Sequence, residues 1–133
     1  PALLPSAIEE VLRYRSPVKS LFRVTAKDTT LREQTIQAGQ PVVAWVISAN
    51  HDETVFDQPE QFRIERSPNR HLAFGHGIHF CLGAPLARLE ARVALQAMLD
   101  RLPDLQIVPD ALLERIESTI VNGVKALPVR WRN

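Results

Sequence analysis

Cysteine is nearly missing from this sequence, with one example, Cys81, in 133 residues. A lone cysteine rules out an internal disulfide and fits a reducing compartment, which leaves its thiol free for other chemistry. An excess of one charge is missing too. Sixteen Lys and Arg are set against fifteen Asp and Glu, with both signs interspersed and a formal net charge of +1. There is no basic stripe for a phosphate backbone, so nucleic acid is not an expected partner. No apolar run approaches the roughly 20 residues that cross a bilayer. The first ten residues, Pro1 to Glu10, lack the charged-then-apolar layout of a secretion signal. No membrane partner and a cytoplasmic location are therefore expected. Histidines number four, and no two have helix-facing metal spacing together with an acidic partner, which argues against zinc.

What is present is an ordinary apolar fraction of 45% with ten prolines and five glycines, enough for one modest core. Residues 1–133 are accordingly read as a single region. Ser6-Ala7-Ile8-Glu9 is a capping-box pattern, and Ile8, Val11 and Leu12 follow at helical spacing, predicting a short helix from about Ala7 to about Tyr14 that Pro17 stops. Stretches rich in β-branched and aromatic residues at Leu21–Thr25, around Thr35–Ile36 and at Val42–Ile47 predict strands of a small sheet. Between Asn50 and Leu72 the chain has two X-Pro steps and no sustained period, with at most a short helix near Asp52–Phe56. So long an irregular stretch needs neighbours to hold it.

From Leu82 to about Arg101 the helical period returns. Leu82, Leu86, Leu89 and Val93 mark one apolar face, and Ala87, Ala91, Ala94 and Met98 mark an adjoining one. So wide an apolar surface asks for more cover than the rest of the chain can easily supply. After Pro103 short strands are predicted, including Ile116–Val121 and Leu127–Trp131.

The segment that carries chemistry is Phe74-Gly75-His76-Gly77-Ile78-His79-Phe80-Cys81-Leu82-Gly83. Glycines permit positive φ and close backbone approach. A cysteine where a loop enters a helix sees the positive dipole end, which favours the thiolate, the form that ligates metals. Alone, such a cysteine reads as a small buried hydrophobe. The spacing of Phe74, Gly77, His79, Cys81 and Gly83, however, resembles the heme-binding signature of the cytochrome P-450 family. Ala84-Pro85-Leu86-Ala87-Arg88-Leu89-Glu90 is similar to the start of the helix that follows the cysteine in bacterial members.

A second match lies far from the first. Glu10 and Arg13 are three apart, neighbours on one helix face, and alone would be a solvated pair of little value. Together with the cysteine loop, Glu10-Val11-Leu12-Arg13 resembles the family's Glu-x-x-Arg helix, and Arg66 falls where the family places the second arginine of that cluster. Within the match, Asn50-His51-Asp52 replaces the usual Asn-Arg-Asp, and Gln37 stands where Pro often precedes Ala-Gly.

The resemblance implies an α+β arrangement, the C-terminal portion of a mainly α fold: Glu-x-x-Arg helix, small sheet, irregular meander, cysteine loop and long helix. It implies heme b as cofactor, Cys81 as the axial iron ligand, and Arg23 and His79 beside the heme carboxylates. Phe74 would shield the sulfur, and Gly75 and Gly83 would be cofactor-binding residues with it. Glu10, Arg13 and Arg66 would form a buried structural ion cluster. The implied activity is a monooxygenase that inserts one atom of O2 into a small organic substrate with electrons from a redox partner. No segment resembles the family's long central helix with its acid-alcohol pair, so the isolated chain is expected to lack catalysis and to need a complementary upstream chain. A different reading is a standalone or self-associating heme-binding module without monooxygenase activity. A third is a remnant that folds without cofactor, its Cys81 merely packed.

Overall fold

The structure, a computed structural model, describes residues 2–132. The first helix, α1, spans Leu4–Tyr14. It begins earlier than the capping-box pattern suggests. Pro5 stands in its first turn, where a missing N–H costs nothing and the fixed φ is already helical. Leu3 is therefore the N-cap, and Ser6, already inside the helix, donates its hydroxyl to Leu3 O at 3.0 Å, so no capping box forms.

Strand β1 (Ser20–Val24) pairs antiparallel with β4 (Pro41–Trp45), with Ser20 opposite Trp45 and Val24 opposite Pro41. Between them a hairpin of β2 (Thr29–Leu31) and β3 (Gln34–Ile36) projects, and β5 (Gln106–Ile107) meets β6 (Val129–Arg130) near the C-terminus. The expected small sheet is thus two separate two-stranded ribbons among the described residues, β1–β4 and β2–β3, with β5–β6 a third ribbon in the region where short strands were expected after Pro103. The run Val42–Ile47 does not stay extended to its end. After Trp45 the chain turns into a one-turn helix, α2 (Val46–Ala49), which buries the Val46 side chain.

Two other expectations change. Near Asp52–Phe56 there is one helical turn, with the Val55 and Phe56 N–H groups on Asp52 O, and no helix. The Asp52 carboxylate accepts from the Thr54 N–H at 2.9 Å, a local bond that competes with helix growth. Ile116–Val121 forms no strand. Within it only Val121 makes a single bridge, to Val18, and the Thr119 and Ile120 carbonyls accept from the Ser20 hydroxyl and the Lys19 N–H at the start of β1. β-Propensity there reports half-buried packing rather than a ladder.

The long helix, α3, spans Ala84–Arg101, two residues later than its apolar pattern starts. It packs on α1 with Ala84 fully buried, while Leu86, Leu89 and Val93 stay exposed. Among the described residues the apolar core is small, consisting of Ile8, Val46, Phe56, Ala73 and Ala84. The largest fully buried side chains are charged ones, Arg13 and Glu10. No helix is long and apolar enough to cross a membrane among the described residues.

Candidate functional site

Glu10 and Arg13 share the buried face of α1 because they are three residues apart. The Arg13 guanidinium pairs with both Glu10 oxygens at 2.8 Å. Its remaining N–H groups go to carbonyls of the irregular segment: Asn50 O and Pro59 O at 2.9 Å, and Gln61 O at 3.1 Å. All five donors of the fork are used. Arg66 reaches the same carboxylate through Nε at 3.2 Å and donates to the carbonyls of Asp57, Gln58 and Gln61. The Arg63 N–H and the Asn69 amide complete the shell around Glu10. Burial pushes the Glu10 carboxyl up, but the Arg13 pair, the Arg63 N–H and Arg66 outweigh it and hold it at about 2. The irregular segment is thus tied by its own carbonyls to two guanidinium forks.

The cysteine loop leaves this cluster through Asn50, whose Oδ1 accepts the Leu72 N–H at 2.7 Å. Gly75 and Gly77 take φ of +73° and +70°, and a Cβ on Gly75 would stand 3.5 Å from His79 O. These turns fold the loop back so that the Cys81 N–H donates to Phe74 O at 2.9 Å. Cys81 lies three residues before α3, with its carbonyl accepting the Ala84 N–H, so it precedes the helix rather than opening it. At Gly83 a Cβ would come 3.8 Å from Cys81 Sγ. The thiol is exposed, and its neighbours Ile78 and Leu82 are 98% and 97% exposed.

Beside the thiol is a cavity of about 260 Å³. Arg23, Phe74, Gly75, His79 and Cys81 all line it, with Leu21, Val46 and Leu72 among its apolar walls. The candidate residues of the sequence reading are therefore brought together from β1 and the loop, with Gly83 next to the sulfur. Arg23 itself is exposed and donates to Phe22 O at 2.8 Å.

Sequence reasoning missed a second ion cluster. Arg88 of α3 forms a two-pronged pair with Glu9 of α1, at 2.7 and 2.8 Å, and His71 Nε2 lies 3.0 Å from the same carboxylate. The Arg88 guanidinium sits over the Phe74 ring, 4.7 Å from its centroid. The hydrogen bonds from Arg88 lower the Glu9 carboxyl, against burial. Burial lowers the His71 imidazole, against the pull of Glu9. Nothing local signals this cluster. Glu9 and Arg88 are far apart in sequence, and only their helical faces hint at contact.

The family model described as Cytochrome P450 matches residues 2–124. The chain belongs to the cytochrome P450 family. Members carry heme, iron-protoporphyrin IX, as cofactor. The chain is 47% identical over 130 residues to a putative cytochrome P450, YjiB, of Bacillus subtilis, covering 98% of this chain and 32% of that one. It is also 47% identical over 127 residues to a steroid C26-monooxygenase of Mycolicibacterium smegmatis, covering 96% and 32%. Among solved P450 structures, CYP109E1 of Bacillus megaterium in complex with testosterone matches with a TM-score of 0.95 and 52% identity over 99% of this chain and 37% of that chain. The chain thus spans about a third of the length of the P450 relatives it matches.

Proposed function

We propose that this chain is the heme-thiolate part of a P450 monooxygenase, with Cys81 as the axial ligand to iron. The observation that carries the reading is the cavity holding Arg23, Phe74, His79 and Cys81 together. Its donor set suits the group. One thiol supplies a soft ligand, apolar walls suit a flat macrocycle, and Arg23 with His79 offers hydrogen-bond donors to carboxylates. When bound, heme supplies the activation of O2 that inserts one oxygen atom into an organic substrate.

The protein's part is to place and shield. Phe74 O fixes the Cys81 amide while the Phe74 ring lines the cavity, so one residue both aims the thiol and limits water. Gly75 lets the loop double back without a Cβ against His79 O. Glu10, Arg13 and Arg66 hold the segment that delivers the loop. All these groups lie on the thiol side. Oxygen chemistry and substrate selection therefore belong to the rest of a longer P450 polypeptide, which would also cover the exposed apolar residues of α3, and the isolated chain is inactive as a monooxygenase. The substrate is an apolar small organic molecule, the class of the testosterone held by the solved relative, and electrons come from a redox partner. The exposed Leu86, Leu89 and Val93 also suit a self-associating heme-binding module, which a sedimentation measurement separates.

The test is addition of hemin to the purified chain, reduction under carbon monoxide and a difference spectrum. A thiolate-type Soret band, lost in Cys81→Ala, is expected. A histidine-type band unchanged in Cys81→Ala overturns the assignment.

A further inference from the structure

We propose that Arg88 is a positioning residue for the thiol, acting through Phe74, and that Glu9 and His71 exist to hold Arg88 in place. The proposal rests on the assignment of Cys81 above. The geometry runs in one line. Glu9 receives Nε and Nη2 of Arg88, which fixes the plane of the guanidinium. That plane lies over the Phe74 ring at 4.7 Å, within cation-π range. Phe74 in turn accepts the Cys81 N–H through its carbonyl, and its ring packs edge-on to Phe80, the residue before the cysteine.

His71 secures the other end. Its Nδ1 accepts the Ala73 N–H at 3.2 Å, so Nδ1 bears the lone pair and Nε2 carries the hydrogen that points at Glu9. The neutral ring therefore bridges the helix carboxylate to the backbone of Ala73, the residue before Phe74. Arg88 is not among the residues that line the apolar cavity beside the thiol. What it governs is the angle at which Phe74 presents its carbonyl and ring. Without it, the aromatic is free to rock and the Cys81 amide loses a fixed acceptor.

The experiment uses the fact that Cys81 is the chain's only cysteine. Its reaction with an aromatic disulfide reagent reports loop order with no heme present, and the carbon monoxide difference spectrum after hemin addition reports ligation. Arg88→Ala is expected to speed labelling roughly 2- to 5-fold, the scale of one lost cation-π contact, and to shift part of the spectrum from the thiolate type to the neutral-thiol type. Arg88→Lys, which keeps charge but not the fork, falls between. Glu9→Gln moves both readouts the same way and serves if Arg88→Ala does not fold.

The decisive comparison is with Phe74→Ala. Because Arg88 acts through that ring, Arg88→Ala adds nothing in a Phe74→Ala background. Additive effects, or unchanged labelling and spectrum in folded Arg88→Ala and Glu9→Gln, overturn the proposal. Should Cys81→Ala keep the thiolate-type band, it is the ligand assignment that falls, while the labelling result still judges the coupling of Arg88 to the loop.

Discussion

Glu9 and Glu10 are adjacent on one helix, yet they serve ion clusters of opposite character. One step along a helix turns about 100°, so Glu10 faces the irregular segment and Glu9 faces α3. Glu10 and Arg13 are 0% exposed, and every donor of the guanidinium is matched. Glu9 and Arg88 are 29% and 37% exposed and hold two helices and an aromatic ring rather than a run of backbone. The difference teaches that a salt bridge matters here through what else its donors satisfy. The first cluster replaces an apolar core for the segment it binds, and the second adjusts an arrangement already formed.

The sharpest way to break this comparison is to remove one partner of the buried pair. Glu10→Ala or Arg13→Ala should cost on the order of 3–5 kcal/mol and abolish heme uptake, as read by urea titration and hemin absorbance. A stable, heme-loaded variant would show that the segment is held otherwise.

Acid should then separate the two clusters. The Glu10 carboxyl is depressed from 4.5 to about 2, so its stabilisation, on the order of 3 kcal/mol, is complete above pH 4.5 and disappears as pH falls toward about 2. His71 is held neutral below its ordinary 6.5, so the second cluster weakens from pH 6.5 downward as the unfolded state takes up protons first. Cys81 labelling, taken relative to a free thiol at the same pH because the reactive thiolate is itself lost in acid, should thus rise at milder acidity than the loss of helical circular dichroism. Coincident transitions would make the clusters one unit.

Gly75→Ala should destabilise by about 1–2 kcal/mol, since its φ of +73° strains any Cβ. Chemical denaturation read through the cysteine loop checks this. Arg88→Ala should cost only about 1 kcal/mol of global stability, discounted for its exposure, while changing thiol labelling clearly. The smallest effect belongs to Lys125→Ala, which breaks an exposed pair with Glu114 and should fall within about 0.5 kcal/mol in thermal melts.

How much of this was legible depended on whether the partners were local. The cysteine loop was readable because glycine, histidine and cysteine are meaningful at short fixed spacings. The Glu10–Arg13 pair was readable only through the family resemblance, since a three-residue step alone suggests a solvated pair, and the need for something to hold Asn50–Leu72 followed from its lack of period. The acceptors that do the holding were not readable, because the carbonyls of Asn50, Pro59 and Gln61 look like any other carbonyl in sequence. Glu9 and Arg88 escaped notice because tertiary packing alone joins them. The start of α1 was misplaced because Pro5 fixes the backbone more firmly than Ser6 can cap it, and Ile116–Val121 misled because β-branched residues also suit single bridges.

The carboxylates of α1 also set an order of assembly. As the chain is synthesised, residues 4–14 emerge with both carboxylates in place before the partners described here at positions 63–88. Glu10 must wait for Arg63, Arg66 and Asn69, and Glu9 for His71 and then Arg88. The long-range partners of Glu10 thus all precede Cys81 in the chain, whereas Arg88, the last partner of Glu9, follows it. Pairings of such long range are slow to close, so the loop becomes competent late, once residues on both sides of it have found the same short helix.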